Sequence, residues 1–220
     1  MKAADFISPD VPAPLDSDSG FFALAKMQEQ QLNHLPVVRG KHLIGLISDA
    51  DLDALADLSL PLGHDAGSLG LAFVRENDHV FQAVKLAVEL KLTVVPVVDD
   101  ELAYQGSIRT GSLLQALAQH TAVMESGSII VLEMNLQDFS LAEIARIIEA
   151  DKARIMGCYV MKSPVAGRML LTLKVNKSET QPIVASLERF NYQVVCVFGE
   201  PEHFAMLRER YDALMNYLKI

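Results

Sequence analysis

His34-Leu35-Pro36-Val37-Val38, followed by Gly45-Leu46-Ile47-Ser48-Asp49-Ala50-Asp51-Leu52, is a stretch that the chain says twice. The second copy is Val94-Val95-Pro96-Val97-Val98, followed by Gly106-Ser107-Ile108-Arg109-Thr110-Gly111-Ser112-Leu113. The two prolines stand sixty residues apart and the two glycines sixty-one, so one inserted residue separates the copies. Upstream, Asp18 and Asp78 each precede their proline by eighteen residues, and each opens an apolar helical pattern. An internal repeat of this kind means one supersecondary unit built twice, and it sets the architecture.

Each copy reads as helix, strand, turn, strand, helix. Phe21, Leu24, Ala25, Gln28 and Leu32 form a mostly apolar stripe at helical steps, matched by Val80, Val84, Ala87 and Val88, with the helices ending near Asn33 and Lys91. Pro36-Val37-Val38 and Pro96-Val97-Val98 run into the polar turns Arg39-Gly40 and Asp99-Asp100, which is the pattern of buried strands. Leu43 to Ile47 reads as a return strand, after which Asp49 is placed to cap a helix through Asp51, Leu52, Leu55 and Ala56.

This layout resembles the CBS domain, and the pair resembles a Bateman module over roughly residues 1–124, with repeat 1 at 1–58 and repeat 2 at 71–124. The resemblance implies an adenine nucleotide, AMP, ADP or ATP, held in the cleft between the repeats as a regulatory ligand. It also implies that a hydroxyl and an acidic residue at the strand-to-helix turn hold phosphate and ribose; here these are Ser48 and Asp51. A helix N-terminus offers unpaired backbone donors to a phosphate, and a carboxylate in the first turn accepts from vicinal hydroxyls. In the second copy Arg109 replaces Ser48 and Ser112 replaces Asp51. An arginine fork suits a phosphate, but the acidic clamp is gone, so one site of the usual kind is expected, in the first repeat. His34, Pro36 and Pro96 border the expected cleft. The lead-in, residues 3–14, has Pro9, Pro12 and Pro14 within six residues and reads as extended; the resemblance gives Ile7, Val11 and Pro12 to the adenine.

Pro61, Gly63, Gly67 and Gly70 mark a turn-rich connection between the repeats, Leu113, Leu114 and Leu117 an inward helix face, and Met124-Glu125-Ser126-Gly127 a linker. Beyond it the order changes to strand (129–133), helix capped by Asp138 or Ser140 with the stripe Leu141, Ile144, Ala145 and Ile148, then strand (155–161). A strand follows in which Met169, Leu171, Leu173 and Val175 alternate with other residues. A helix from Ser178 with the face Ile183, Leu187 and Phe190 comes next, and a strand from Tyr192 to Phe198 closes the unit. This is a βαββαβ split sandwich, and residues 128–199 resemble an ACT domain, a family that often binds amino acids. The glycine usual before its first helix is absent, since the loop reads Phe139-Ser140. Residues 200–220 carry Phe204, Leu207, Tyr211, Leu214 and Leu218 at heptad steps, a C-terminal helix. The fold class is therefore α/β (α+β): a CBS-domain pair, a ferredoxin-like ACT-type domain and a terminal helix. The combination resembles acetoin-utilisation-type CBS proteins.

Charge narrows the partners. Residues 1–127 hold 8 Lys/Arg and 17 Asp/Glu, a net of −9, whereas residues 128–220 hold 11 of each. An acidic repeat half argues against nucleic acid. There is no apolar run of 18 residues and no signal-like opening, so a cytoplasmic protein away from membranes is expected. Cys158 and Cys196 read as free thiols, and the scattered histidines as no metal set. No nucleophile elbow, P-loop or paired catalytic carboxylates occur, and His34 is the one tempting base, so no enzyme and no cofactor are expected. A homodimer is expected through apolar helix faces such as Leu52, Leu55 and Leu58. The alternatives are a dimeric scaffold with a vestigial cleft and amino-acid sensing by the ACT-like domain.

Overall fold

The computed structural model of the chain describes residues 1–64 and 70–199, which fall into two compact units divided between Leu117 and Ala118. The expected C-terminal helix at 200–220 lies outside the described residues.

In the first unit the repeat is visible bond by bond. Helix α1 (Gly20–Gln30) leads to β1 (His34–Arg39), β2 (His42–Ser48) and α2 (Asp49–Ala54). After β3 (Val74–Arg75), α3 (Val80–Glu89) leads to β4 (Val94–Val98), β5 (Tyr104–Arg109) and α4 (Thr110–His120). Both hairpins are antiparallel, and both carry a register shift at the same place, Val37/Val38 and Val97/Val98. Both first helices end on a left-handed residue, Gln31 at φ 54° and Lys91 at φ 52°. The N–H of Asp49 donates to Asn33 O at 2.9 Å, and that of Thr110 to Thr93 O at 3.0 Å. One shared core joins the copies, with Leu35, Val37 and Leu52 from the first and Val95, Val97 and Leu113 from the second.

The repeats also exchange their leading segments. Ala3 N donates to Asp78 O at 2.8 Å, and Ser8 pairs with Ser107 of β5. In the other direction Leu62 N donates to Asp18 O at 2.8 Å, and Gly70 O accepts from Leu46 N of β2 at 2.8 Å. Each segment thus lies on the sheet edge of the other copy, satisfying the Ser107 carbonyl of β5 and the Leu46 N–H of β2. Residues 3–6 form a short 3-10 turn rather than the extended run expected for the whole lead-in.

Several expected helix faces are rotated. In α1 the buried positions are Gly20, Ala23 and Met27, while Phe21 is 60% exposed, and Ala25 and Gln28 are also exposed. In α3 they are Val80, Ala83 and Ala87, while Phe81 and Val88 face outward. The cause is close packing: a Cβ at Gly20 would lie 2.8 Å from Leu58 Cδ2, so the helix rests on its small residues. In α4, Leu113 and Ala116 point inward and Leu114 outward. Helix α2 starts on a Ser48 cap, not on Asp49, and stops at Ala54 with Leu55 extended. Leu52 is fully buried and Leu55 and Leu58 pack against the same core, so they are not the free face expected for a dimer.

The second unit is the expected βαββαβ sandwich: β6 (Ser128–Asn135), α5 (Leu141–Ala150), β7 (Ile155–Lys162), β8 (Arg168–Val175), α6 (Gln181–Arg189) and β9 (Gln193–Phe198). The antiparallel sheet runs β7-β8-β6-β9. Ile130, Leu132, Met169, Leu171 and Leu173 meet Ile144, Ile148, Ile183 and Leu187 in a separate core. Ser140 caps α5 by accepting from Glu143 N. Helix α6 opens after Thr180 rather than at Ser178, and Leu141 and Phe190 sit at the exposed rims of their helices. Cys158 on β7 and Cys196 on β9 are free thiols on opposite edges of the sheet.

Candidate functional site

The turn from β2 into α2 is built by a reciprocal cap. Asp51 N donates to Ser48 Oγ at 3.0 Å, and Asp51 Oδ2 accepts from Ser48 N at 2.8 Å and from Ser48 Oγ at 2.6 Å. This is a capping box, and it consumes donors and acceptors that the sequence reading gave to a ligand. The Ser48 hydroxyl proton is spent on Asp51, and Asp51 keeps only Oδ1 free of the cap. Beside Asp51 opens a cavity of about 330 Å³, walled by Ile47, Leu55, Leu60 and Leu62, with Asp57 and His64 as its other ionisable groups among the described residues. Its far wall belongs to the exchanged segment, held by Gly63 N donating to Asp16 O at 2.7 Å.

His34 is tied to the other repeat. Thr93 Oγ1 accepts from the backbone N–H of Asn33 and of His34, both at 3.1 Å. Its remaining proton faces His34 Nδ1 at 3.2 Å, and Thr93 N also donates to Nδ1, at 3.3 Å. With Nδ1 accepting, the neutral ring carries its proton on Nε2. Burial pushes the His34 pKa down, against the pull of Asp49 and Asp51. Pro36 and Pro96 are buried strand residues at the centre of the unit. None of His34, Pro36 and Ser48 lines the cavity; Asp51 does.

The lead-in residues go elsewhere. Gly106 has φ +145°, and a Cβ there would lie 2.5 Å from Ile7 Cγ2, so β5 of the second repeat leaves room for Ile7. Ser8 Oγ accepts from Arg109 N at 3.3 Å and sits 3.3 Å from Ser112 Oγ. Ile7 therefore belongs with Arg109 and Ser112, not with Ser48 and Asp51, because the exchange carries the first lead-in onto the second repeat. Val11 packs on the shared core, and Pro12 is partly exposed beside it. Arg109 is not a free fork for phosphate. Its Nη2 lies 2.7 Å from Asp10 Oδ2 and donates to Gln30 Oε1 at 2.8 Å, while Nη1 donates to Gln30 O at 3.1 Å.

Ser8, Asp10, Gln30 and Thr93 were missed by motif reading. Thr93 had a signal: it occupies the place of Asn33 in the second copy, at the same sixty-residue offset. Asp10 had none, since nothing in sequence ties a lead-in to the opposite repeat.

The second unit has its own polar cavity, about 470 Å³, at the end of β6 and β8. Arg168 there is paired with Glu133 at 3.0 Å and donates to Gln193 Oε1 at 2.8 Å. Tyr192 donates to Glu143 at 2.8 Å; burial, that bond and the charges of Glu143 and Asp138 push its pKa up to about 12. Three carboxylates and one engaged arginine are a poor receptor for an amino acid's carboxylate.

The swapped hairpin pair around one core is the fold of a CBS domain pair. Residues 3–55 match the CBS domain family. Among solved structures, a CBS domain pair/ACT domain protein from Thermotoga maritima aligns at 29% identity over 54% of this chain and 98% of that one, TM-score 0.50. CBSX2 in complex with AMP aligns at 26% identity over 54% of this chain and 97% of the other, TM-score 0.47. CBSX2 from Arabidopsis thaliana aligns at 25% identity over 54% and 95%, TM-score 0.46. Among the described residues no helix is long and apolar enough to cross a membrane.

Proposed function

We propose that this chain is a non-catalytic regulatory protein whose first cleft binds an adenosine-containing ligand, AMP, ADP or ATP, beside Asp51. The observation that carries the reading is the Asp51 carboxylate. One oxygen is fixed by the capping box, and the residue borders an apolar-walled cavity of about 330 Å³. Small-ligand pockets of this kind begin at about 300 Å³ and pair apolar walls with few polar anchors. Ile47 and Leu62 offer surface to a base, and Asp51 Oδ1 an acceptor to a ribose. Binding regulates only if the ligand favours one of two conformations. The second unit is ACT-type in this reading, as in acetoin-utilisation-type proteins, and the regulated protein lies outside the chain. The test is calorimetry with AMP, ADP and ATP on wild type and Asp51→Ala. Losing a charged acceptor costs about 1.5–3 kcal/mol, roughly ten- to hundredfold in Kd. Equal affinity of the two proteins would end the assignment.

A homodimer belongs to the same proposal, on a different surface from the one expected. Phe21 and Phe81 hold equivalent places on α1 and α3 and are 60% and 52% exposed, with Phe22 next to Phe21 and exposed Val88 seven residues, two helical turns, after Phe81. Paired aromatic residues held out of the core on two matched helices favour a two-fold partner. If no ligand binds, this face favours the scaffold alternative. Light scattering should give twice 24.2 kDa, and Phe21→Glu with Phe81→Glu should return it to the single-chain mass.

A further inference from the structure

The second cleft differs from the first by a matched pair of residues rather than by one. Counted from the equivalent bridges Ser8–Ser107 and Gly70–Leu46, the first cleft has Ser48 where Arg109 stands and Ala72 where Asp10 stands. Both partners of the ion pair are thus present in one cleft and both absent from the other. Arg109, partly buried at 23% side-chain exposure, gains from a nearby anion, and Asp10 supplies it. Both Nη2 donors and one Nη1 donor of the guanidinium are directed at Asp10 and Gln30, and Nε is buried. Asp10 is delivered by the lead-in, which Ser8 N pins to Ser107 O at 2.9 Å and Ile7 seats over Gly106.

We propose that Asp10 is the resident anion of the second cleft: its carboxylate holds the guanidinium that would otherwise take a ligand's phosphate. The chain therefore takes one nucleotide, and the second cleft is latched against anions. The stoichiometry rests on the nucleotide reading of the first cleft; the latch rests only on Arg109 and Asp10. The Asp10 side chain is more than half exposed, so its charge can be removed without disturbing the core.

The test uses a plain anion, inorganic pyrophosphate, followed by backbone amide NMR of the whole chain. In wild type the amides of Ser8, Arg109 and Ser112 should not shift saturably. In Asp10→Asn, and again in Asp10→Ala, they should do so with affinity at least tenfold above wild type. Adding Arg109→Met to Asp10→Asn should abolish the response. Calorimetry with AMP should give one equivalent for wild type. Asp10 variants that take pyrophosphate no better than wild type would overturn the latch, as would a second AMP equivalent in wild type that shifts Arg109. If wild type binds no AMP while Asp10→Asn gains the Arg109-dependent pyrophosphate site, the nucleotide reading falls and the latch stands.

Discussion

The two repeats have the same backbone and different chemistry. Their strand pairings, bulges, left-handed helix ends and the carbonyl bonds from Asp49 to Asn33 and from Thr110 to Thr93 coincide, yet the strand-to-helix turn is Ser48 and Asp51 in one and Arg109 and Ser112 in the other. The difference follows burial. Leu52 and Leu113 are both almost wholly buried, and each is fixed by the neighbours that surround it. The turn residues stand outside that core, Asp51 at the cavity and Arg109 against Asp10, so substitution there leaves the hairpins in place and changes what each repeat presents.

If the shared core is as symmetric as it looks, matched truncations should cost alike. Leu52→Ala and Leu113→Ala should each destabilise by about 2–5 kcal/mol and agree within about 1 kcal/mol, read by urea denaturation. A large inequality would mean that one repeat carries the unit and the other merely leans on it. A smaller, asymmetric effect is expected at glycine. Gly106→Ala combines a disfavoured φ with a contact into Ile7, for about 2–4 kcal/mol. Gly40→Ala, at φ +62° with nothing within 4 Å, should cost about 1–2 kcal/mol. Equal costs would deny that the lead-in presses on β5.

Legibility in the sequence followed the same divide. The duplicated hairpins and the βαββαβ order were readable because each rests on local period and turn residues, as with Met169, Leu171, Leu173 and Val175. So was the placement of Cys158 and Cys196 on opposite edges, three interstrand steps or roughly 14 Å apart, beyond a disulfide's reach. The helix faces were misjudged where hydrophobicity and packing disagree: Phe21 is the more apolar residue, but Ala23 is the one small enough to lie against the core. The exchange of lead-ins was not readable at all. It joins Asp10 to Arg109 across ninety-nine residues, and no local period records such a contact.

The smallest effect should come from His34, whose counterpart in the second repeat is Val94 and cannot titrate. Burial lowers the His34 pKa in the folded chain, and Nδ1 already accepts from Thr93, so the folded state prefers the neutral ring. The unfolded chain takes up its proton near the ordinary value of about 6.5. Below that pH the unfolded state binds the proton first. The contribution of His34 to stability is therefore fully present above about 6.5 and is lost as pH falls toward the lower folded value. The slope is bounded by about 1.4 kcal/mol per pH unit for one proton, and solvent at this half-buried ring keeps it below that. Melting curves of wild type and His34→Gln between pH 8 and pH 5 should converge as the pH falls, with wild type losing more. Parallel curves would show that the ring titrates alike in both states, and that the tie between His34 and Thr93 leaves its proton affinity unchanged.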